Sequence, residues 1–243
     1  MRRAVVDPSL WADLAGGALT LPPAAAHRFL RVLRLPEGTE VELFDGAGRV
    51  ARGRLKAPDR LEEVRLVDVD ELLPPLVVAQ AVVKTDKLEW VVQKGTELGA
   101  AAFVLFDAER GQVDWKDKAD KRVERLGRIA ADAARQAGRA RVPSVTGPES
   151  VAALCARVRD FPGVAVVGVP GVEAALSEVL AADGRRAHGL LVVVGPEGGL
   201  SPAEIERLVA AGAVAVRLGA FVLRTETAAL AALAAAQTAL GHL

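Results

Sequence analysis

Leu190-Leu191-Val192-Val193-Val194-Gly195-Pro196-Glu197-Gly198-Gly199-Leu200-Ser201-Pro202-Ala203-Glu204 passes from an apolar run, through a glycine-bearing loop, into a helix start. An uninterrupted apolar run of this length, β-branched at Val192–Val194, suits a strand covered on both faces, the kind a parallel sheet uses. Ser201 with Glu204 three residues on predicts a capping box, and Pro202 suits the first helical position. The same rhythm of strand, loop and helix recurs on either side. Apolar runs at Leu76–Val83, Ala101–Phe106, Val164–Val169 and Ala213–Leu218 alternate with helical patterns over Asp86–Leu98, about Lys116–Ala137 and Thr225–Leu240. Such alternation predicts an α/β domain built on a parallel sheet with crossover helices.

Upstream the pattern changes. Leu73-Pro74-Pro75 is a stiff junction, because proline fixes the backbone and donates no hydrogen bond. Before it, Glu40–Phe44, Arg49–Leu55 and Leu61–Val69 read as short strands, with Asp45-Gly46-Ala47-Gly48 as a hairpin turn and Ala24–Leu33 as a helix. The expected division is a small β-rich domain over residues 1–73 and an α/β domain over residues 76–243.

The 243 residues are 51% hydrophobic and 26% charged, which excludes a disordered or fibrous chain. A single cysteine, Cys155, excludes an internal disulfide framework and a cysteine-based zinc site, and three scattered histidines suggest no metal centre. A reducing, cytoplasmic setting is expected. Arg2 and Arg3 precede only Ala4-Val5-Val6 before Asp7-Pro8, too short an apolar run for a secretory signal. Thr227–Leu243, the longest uncharged stretch, is too short and too weakly apolar to span a bilayer. The net charge is zero, yet Asp114 to Arg141 carries nine basic and five acidic residues, an excess that suits either a polyanion or a solvated helix face.

Two loops concentrate the candidate chemistry. In the first, Gly195-Pro196-Glu197-Gly198-Gly199 could bring backbone N–H groups close to a ligand, or could simply turn a strand into a helix. The second runs from Arg217-Leu218-Gly219 to Arg224-Thr225-Glu226-Thr227-Ala228 and opens the last helix. Capping predicts Thr225 as the N-cap and explains Glu226 in the first turn, but nothing in capping requires Arg224. A guanidinium there suits phosphate, carboxylate or a developing oxyanion. Neither loop carries a dinucleotide or P-loop fingerprint. A non-catalytic RNA-binding protein and a nucleotide-using phosphotransferase are the competing readings; the first has no use for two ligand loops in series, and the second would need an acidic metal pair beside them.

The GPEGG-L-S-P-x-E stretch, followed about two dozen residues later by LG-x-x-VLRTETA, resembles the SPOUT-class RNA methyltransferases, within them the 16S ribosomal RNA uridine-N3 methyltransferase family. His27-Arg28-Phe29-Leu30-Arg31-Val32-Leu33-Arg34 resembles that family's N-terminal signature, Lys94-Gly95-Thr96-Glu97-Leu98-Gly99 its TELG segment, and Gln136-Ala137-Gly138-Arg139 with Pro143 a further segment. Two positions depart from the pattern: Ala137 stands where the family has Ser or Cys, and Ala220-Phe221 where a basic residue often precedes the VLR.

The resemblance implies a PUA-like β-barrel that helps hold RNA, a SPOUT-type domain with a trefoil knot around S-adenosylmethionine, a homodimer, and small-subunit rRNA as the partner, with neither membrane nor metal. If that reaction is the right one, its chemistry needs a group that accepts the N3 proton or stabilises the uracil anion, and the expected residues are Arg224 as the stabiliser of negative charge, with Glu197 or Glu226 as base or cofactor-positioning group. The cofactor pocket is expected from Val167, Gly168, Val169, Gly195, Pro196, Glu197, Gly198, Gly199, Leu218, Gly219, Val222, Leu223 and Thr225. RNA contacts are expected at Arg31, Arg34, Lys94, Gln136 and Arg139, with Arg49, Arg52 and Arg54 on a barrel strand. With no Tyr and only nine Phe and Trp in total, phosphate and shape contacts on folded RNA fit better than base stacking along a single strand.

Overall fold

A computed structural model of the chain describes residues 2–14, 17–69, 73–115 and 118–243, with the side chain of residue 185 left aside. The chain divides into two compact units: residues 1–72 with 134–142, and residues 73–133 with 143–243. The stretch 134–142, expected with the second domain, therefore clusters with the first unit. Val142 N–H donates to Gly46 O at 2.9 Å, and Ala140 is buried with Phe44 and Val50. Lys116, the expected start of the long basic helix, lies outside the described residues.

In the first unit a five-stranded sheet has the order β1-β3-β4-β5-β2, comprising β1 (Arg3–Val5), β2 (Leu19–Thr20), β3 (Glu40–Phe44), β4 (Val50–Lys56) and β5 (Arg60–Val67). β3, β4 and β5 form an antiparallel meander close to the expected bounds, while the two short edge strands carry too few residues for a readable alternation. Asp45 closes the β3–β4 turn: its Oδ1 accepts from Ala47 N at 2.8 Å and Arg49 N at 3.0 Å, while Gly46 and Gly48 supply φ of 74° and 110°. The expected Ala24–Leu33 helix is α1 (Pro23–Ala26) continued by a π-helical segment, His27–Val32.

The second unit holds a six-stranded sheet of order β11-β9-β10-β6-β7-β8, parallel at every pairing. Its strands are β6 (Leu76–Ala81), β7 (Ala102–Asp107), β8 (Ser144–Ser150), β9 (Val164–Gly168), β10 (Leu190–Val194) and β11 (Val214–Val216). All five residues of β10 are buried, as expected of a central strand with both faces covered. The helices are α2 (Thr85–Glu97), α3 (Ala119–Ala137), α4 (Val151–Asp160), α5 (Leu176–Ala182), α6 (Pro202–Ala210) and α7 (Thr225–Ala239). α4 and α6 pack together over one side, whereas α7 packs on β6 and β10 and against α2 and α5.

β8 and α4 were not legible as elements. Ser144-Val145-Thr146-Gly147-Pro148-Glu149-Ser150 is polar because it is an edge strand, where proline is tolerated. Gly147 is required by close approach, since a Cβ there would meet Leu105 O at 2.2 Å. The alanines of α7 let it lie close to α2. Gly95 faces Phe103 and Leu233 with no room for a Cβ, and buried Gln237 donates from Nε2 to Leu98 O at 2.9 Å. Among the described residues no helix is long and apolar enough to cross a membrane.

Candidate active site

The loops leaving the carboxyl ends of β9, β10 and β11 enclose a cleft of about 800 Å³ in the second unit. It sits where the strand order reverses, because β6 leads outward to β7 and β8 while β9 and β10 return on the other side of β6. Open α/β sheets place ligands at such a switch point. The cleft is lined by Gly168–Gly171, by Val194–Leu200 and by Arg217–Thr225, with Lys87, Arg110, Ile205 and Ala228.

Of the expected cofactor residues, Gly168, Val169, Gly195, Pro196, Glu197, Gly198, Gly199, Leu218, Gly219, Val222, Leu223 and Thr225 all line this cleft. Val167 does not. The expectation there concerns its backbone; its side chain is fully buried in the core of the sheet, and the lining begins one residue later at Gly168. The glycines hold the loops in close contact: a Cβ on Gly168 would meet Leu218 Cδ1 at 3.0 Å, and one on Gly195 would meet Leu200 Cγ at 3.1 Å. Gly198 has more room, with only Arg110 beside it at 3.4 Å.

The first loop is held from both ends. At α6 the predicted capping box forms, with Ser201 N–H donating to Glu204 Oε2 at 2.7 Å and Glu204 N–H to Ser201 Oγ at 3.3 Å. Glu204 is 1% exposed, and its Oε1 also accepts from Glu109 N at 2.8 Å, tying the helix start to the segment after β7. Arg110, from that same segment, reaches Gly198 O and Leu200 O at 3.4 Å each.

The second loop departs from expectation in a specific way. Arg224, not Thr225, occupies the N-cap position of α7, and its side chain caps nothing. Thr225 begins the helix with its hydroxyl turned inward, donating to Gly195 O at 2.7 Å and accepting from Gln80 Nε2 at 2.8 Å. Gln80 lies in the middle of the sheet and is 0% exposed. Its Oε1 has no hydrogen-bond partner among the described residues, an arrangement that costs about 1–3 kcal/mol when an acceptor is buried. Capping rules could not reveal this, because the partner of Thr225 is 145 residues away in sequence.

The three expected catalytic residues separate into two settings. Arg224 is exposed at the cleft and makes no ion pair among the described residues. Glu197 lines the cleft and accepts from Lys87 Nζ at 2.8 Å, whereas Glu226 stands behind it with Oε2 at 3.6 Å from the same Nζ and is not a lining residue. Lys87, in the first turn of α2, thus bridges both acids. Its hydrogen bond holds the Glu197 carboxyl below the ordinary carboxylate range, and Glu197 raises the Lys87 ammonium in return. A carboxylate so stabilised in its charged form is a poor proton acceptor and a good anchor. Lys87 was not among the expected residues; its place just beyond the carboxyl end of β6 was the available signal. Phe221 and Val222 complete one wall, 85% and 78% exposed.

The expected RNA residues are also uneven. Arg31, on the π-helical segment, and Arg34, just past it with φ of 49°, are exposed and make no ion pair among the described residues. Arg52 pairs with Glu42 at 2.9 Å and Arg54 with Glu63 at 3.1 Å, so both serve the sheet first. Arg49 donates its backbone N–H to the Asp45 turn. Lys94 is paired with Glu97 at 2.8 Å and lies over the Trp90 ring at 5.4 Å. Gln136 is exposed, and Arg139 is half-buried.

A family model described as an RNA methyltransferase domain matches residues 71–237. The ribosomal RNA small subunit methyltransferase E of Mycobacterium tuberculosis is 38% identical over 209 residues, covering 84% of this chain and 80% of that protein. The Bacillus subtilis protein of the same name is 38% identical over 220 residues, covering 86% and 85%. Among solved structures, a ribosomal RNA small subunit methyltransferase E from Neisseria gonorrhoeae bound to S-adenosyl methionine superimposes with a TM-score of 0.79 at 30% identity, covering 98% of this chain and 97% of that one.

Proposed function

Because the chain belongs to the RNA methyltransferase family, we propose that its cleft catalyses methyl transfer to N3 of a uridine in 16S ribosomal RNA. It is an S-adenosylmethionine-dependent methyltransferase of small-subunit rRNA. The observation that carries the site assignment is the meeting of three strand-end loops around one cleft, with an exposed guanidinium, Arg224, that makes no ion pair among the described residues.

The cofactor fits what is there. A cleft of about 800 Å³ lies within the span of small-molecule sites. Its walls are glycine-rich backbone at Gly168, Gly195, Gly198, Gly199 and Gly219, so peptide groups can satisfy an adenosine's polar edge without charge. When bound, S-adenosylmethionine supplies a methyl group already activated by its sulfonium. The residues around it must align the acceptor, an effect worth several kcal/mol. N3 gives up its proton to solvent water at the mouth of the cleft as it takes the methyl group, and Arg224 offers donors to the uracil oxygens, which favours the anionic form at the moment of transfer. Glu197, anchored by Lys87, holds the loop and contributes negative charge at the cofactor side rather than accepting the proton.

The finer architecture follows the same reading. The first unit is a PUA-like barrel that holds RNA through Arg31 and Arg34, the last loops form a trefoil knot, and two copies pair as a homodimer. The curling meander of the first unit and the close-packed alanine face of α7 support it.

Mass mapping tests the reaction. Small-subunit rRNA from cells lacking this protein, incubated with the enzyme and methyl-labelled S-adenosylmethionine, is expected to gain label as N3-methyluridine at one site. Label on another base or another atom would overturn the N3 assignment.

A further inference from the structure

We propose that Gln80 is a positioning residue for methyl transfer: its amide fixes the direction of the Thr225 hydroxyl, which locks the loop after β10 to the start of α7. The proposal rests on the reading of the cleft as the methyl-transfer site.

The direction of the relay follows from the hydrogen-bond inventory. Gly195 O can only accept, so the proton of Thr225 Oγ1 goes to it across 2.7 Å. The hydroxyl oxygen must then accept from Gln80 at 2.8 Å, and the same Gln80 atom lies 3.3 Å from Ala81 O, another acceptor. Both neighbours demand a donor, so the amide nitrogen faces them and Oε1 is turned toward the side where it has no partner. A leucine or methionine would fill this fully buried position without leaving an orphan acceptor. What the amide does here that those apolar side chains cannot is donate, and the donation orients Thr225.

Each end of the relay bears on the chemistry. Gly195 opens the glycine loop that walls the cleft, and it packs so closely on Leu200 that a Cβ added to it would meet Leu200 Cγ at 3.1 Å. Thr225 follows Arg224 directly, so anchoring its hydroxyl fixes the backbone that carries the guanidinium. The relay therefore sets the separation between the cofactor loop and the residue that meets the uracil. Misplacing a reacting group by about 1 Å can cost on the order of a hundredfold in rate.

Four variants test it: Gln80→Met, Thr225→Val, the double variant, and Thr225→Ser. In the free enzyme, hydrogen exchange should rise at residues 195–200 and 222–226 in Gln80→Met and Thr225→Val, while α4 stays protected as in the parent. S-adenosylmethionine affinity should fall about tenfold in each, the scale of one hydrogen bond. The saturated single-turnover rate should also fall, and the double variant should be no worse than the poorer single. Thr225→Ser, which keeps the hydroxyl, should recover both to within a few-fold. If the wild-type enzyme failed to bind S-adenosylmethionine, the proposed function would fall, and hydrogen exchange would still judge the relay. Unchanged exchange at both loops in Thr225→Val, or losses in the two single variants that simply multiply in the double, would overturn it.

Discussion

Lys87 Nζ lies 2.8 Å from Glu197 Oε1, joining the first turn of α2 to the glycine loop of the cleft. The pair lowers the Glu197 carboxyl and raises the Lys87 ammonium. A lowered carboxylate contributes its stabilisation above the ordinary carboxylate range and loses it as pH falls through the lowered value. A raised ammonium contributes below its ordinary range and loses it as pH rises through the raised value. Both groups therefore stay charged from about pH 6 to 9. Glu197→Gln is expected to weaken S-adenosylmethionine binding yet leave the shape of the single-turnover pH profile unchanged over that span. An inflection present in the wild type and absent from Glu197→Gln would make Glu197 the proton acceptor.

Gly198 is the glycine of the cleft loop with ordinary contact distances around an added Cβ, its nearest neighbour being Arg110 Cβ at 3.4 Å. Gly198→Val should accordingly fold while filling part of the cleft. Calorimetry should show S-adenosylmethionine binding lost and the melting temperature lowered by only a few degrees. Unchanged affinity would move the cofactor elsewhere.

Arg224 is exposed, caps nothing and has no ion pair among the described residues, so its removal should leave the fold intact. Arg224→Ala is expected to lower the saturated single-turnover rate by on the order of a hundredfold, the scale of one oxyanion donor. Cofactor and RNA affinities should change only a few-fold. A near-normal rate with weakened cofactor binding would make Arg224 a binding residue.

Charge reversal at Arg31 with Arg34 should weaken RNA binding and reduce its salt dependence by roughly one unit of slope per lost phosphate contact. Reversal at Arg52, already paired with Glu42 at 2.9 Å, should instead show up in stability. Filter binding across a salt series, with thermal melting alongside, separates the two. An unchanged slope for Arg31 and Arg34 would return them to the solvated surface.

Much of the site was written locally. The buried run Leu190–Val194 could only be a covered strand, Ser201 and Glu204 announced their helix within four residues, and the two glycine loops stood at strand ends where ligands bind. Periodicity and capping reach only a few residues along the chain, and these features need no more. The edge strand β8 escaped because an edge need not be apolar, and its glycine answers to Leu105 rather than to its own neighbours. Residues 134–142 cluster with the first unit through partners distant in sequence, among them the hydrogen bond from Val142 to Gly46 and the packing of Ala140 on Phe44 and Val50. Thr225 looked like a cap by sequence; the fold instead buries its hydroxyl between Gln80 and Gly195, contacts closed across 145 and 30 residues. Lys87 likewise gained its place only when β6 and β10 became neighbours in the sheet and brought the start of α2 against the loop carrying Glu197. Local sequence thus determined the elements and the loops that could bind, while tertiary packing decided which side chains meet, because those partners are chosen by the order of strands.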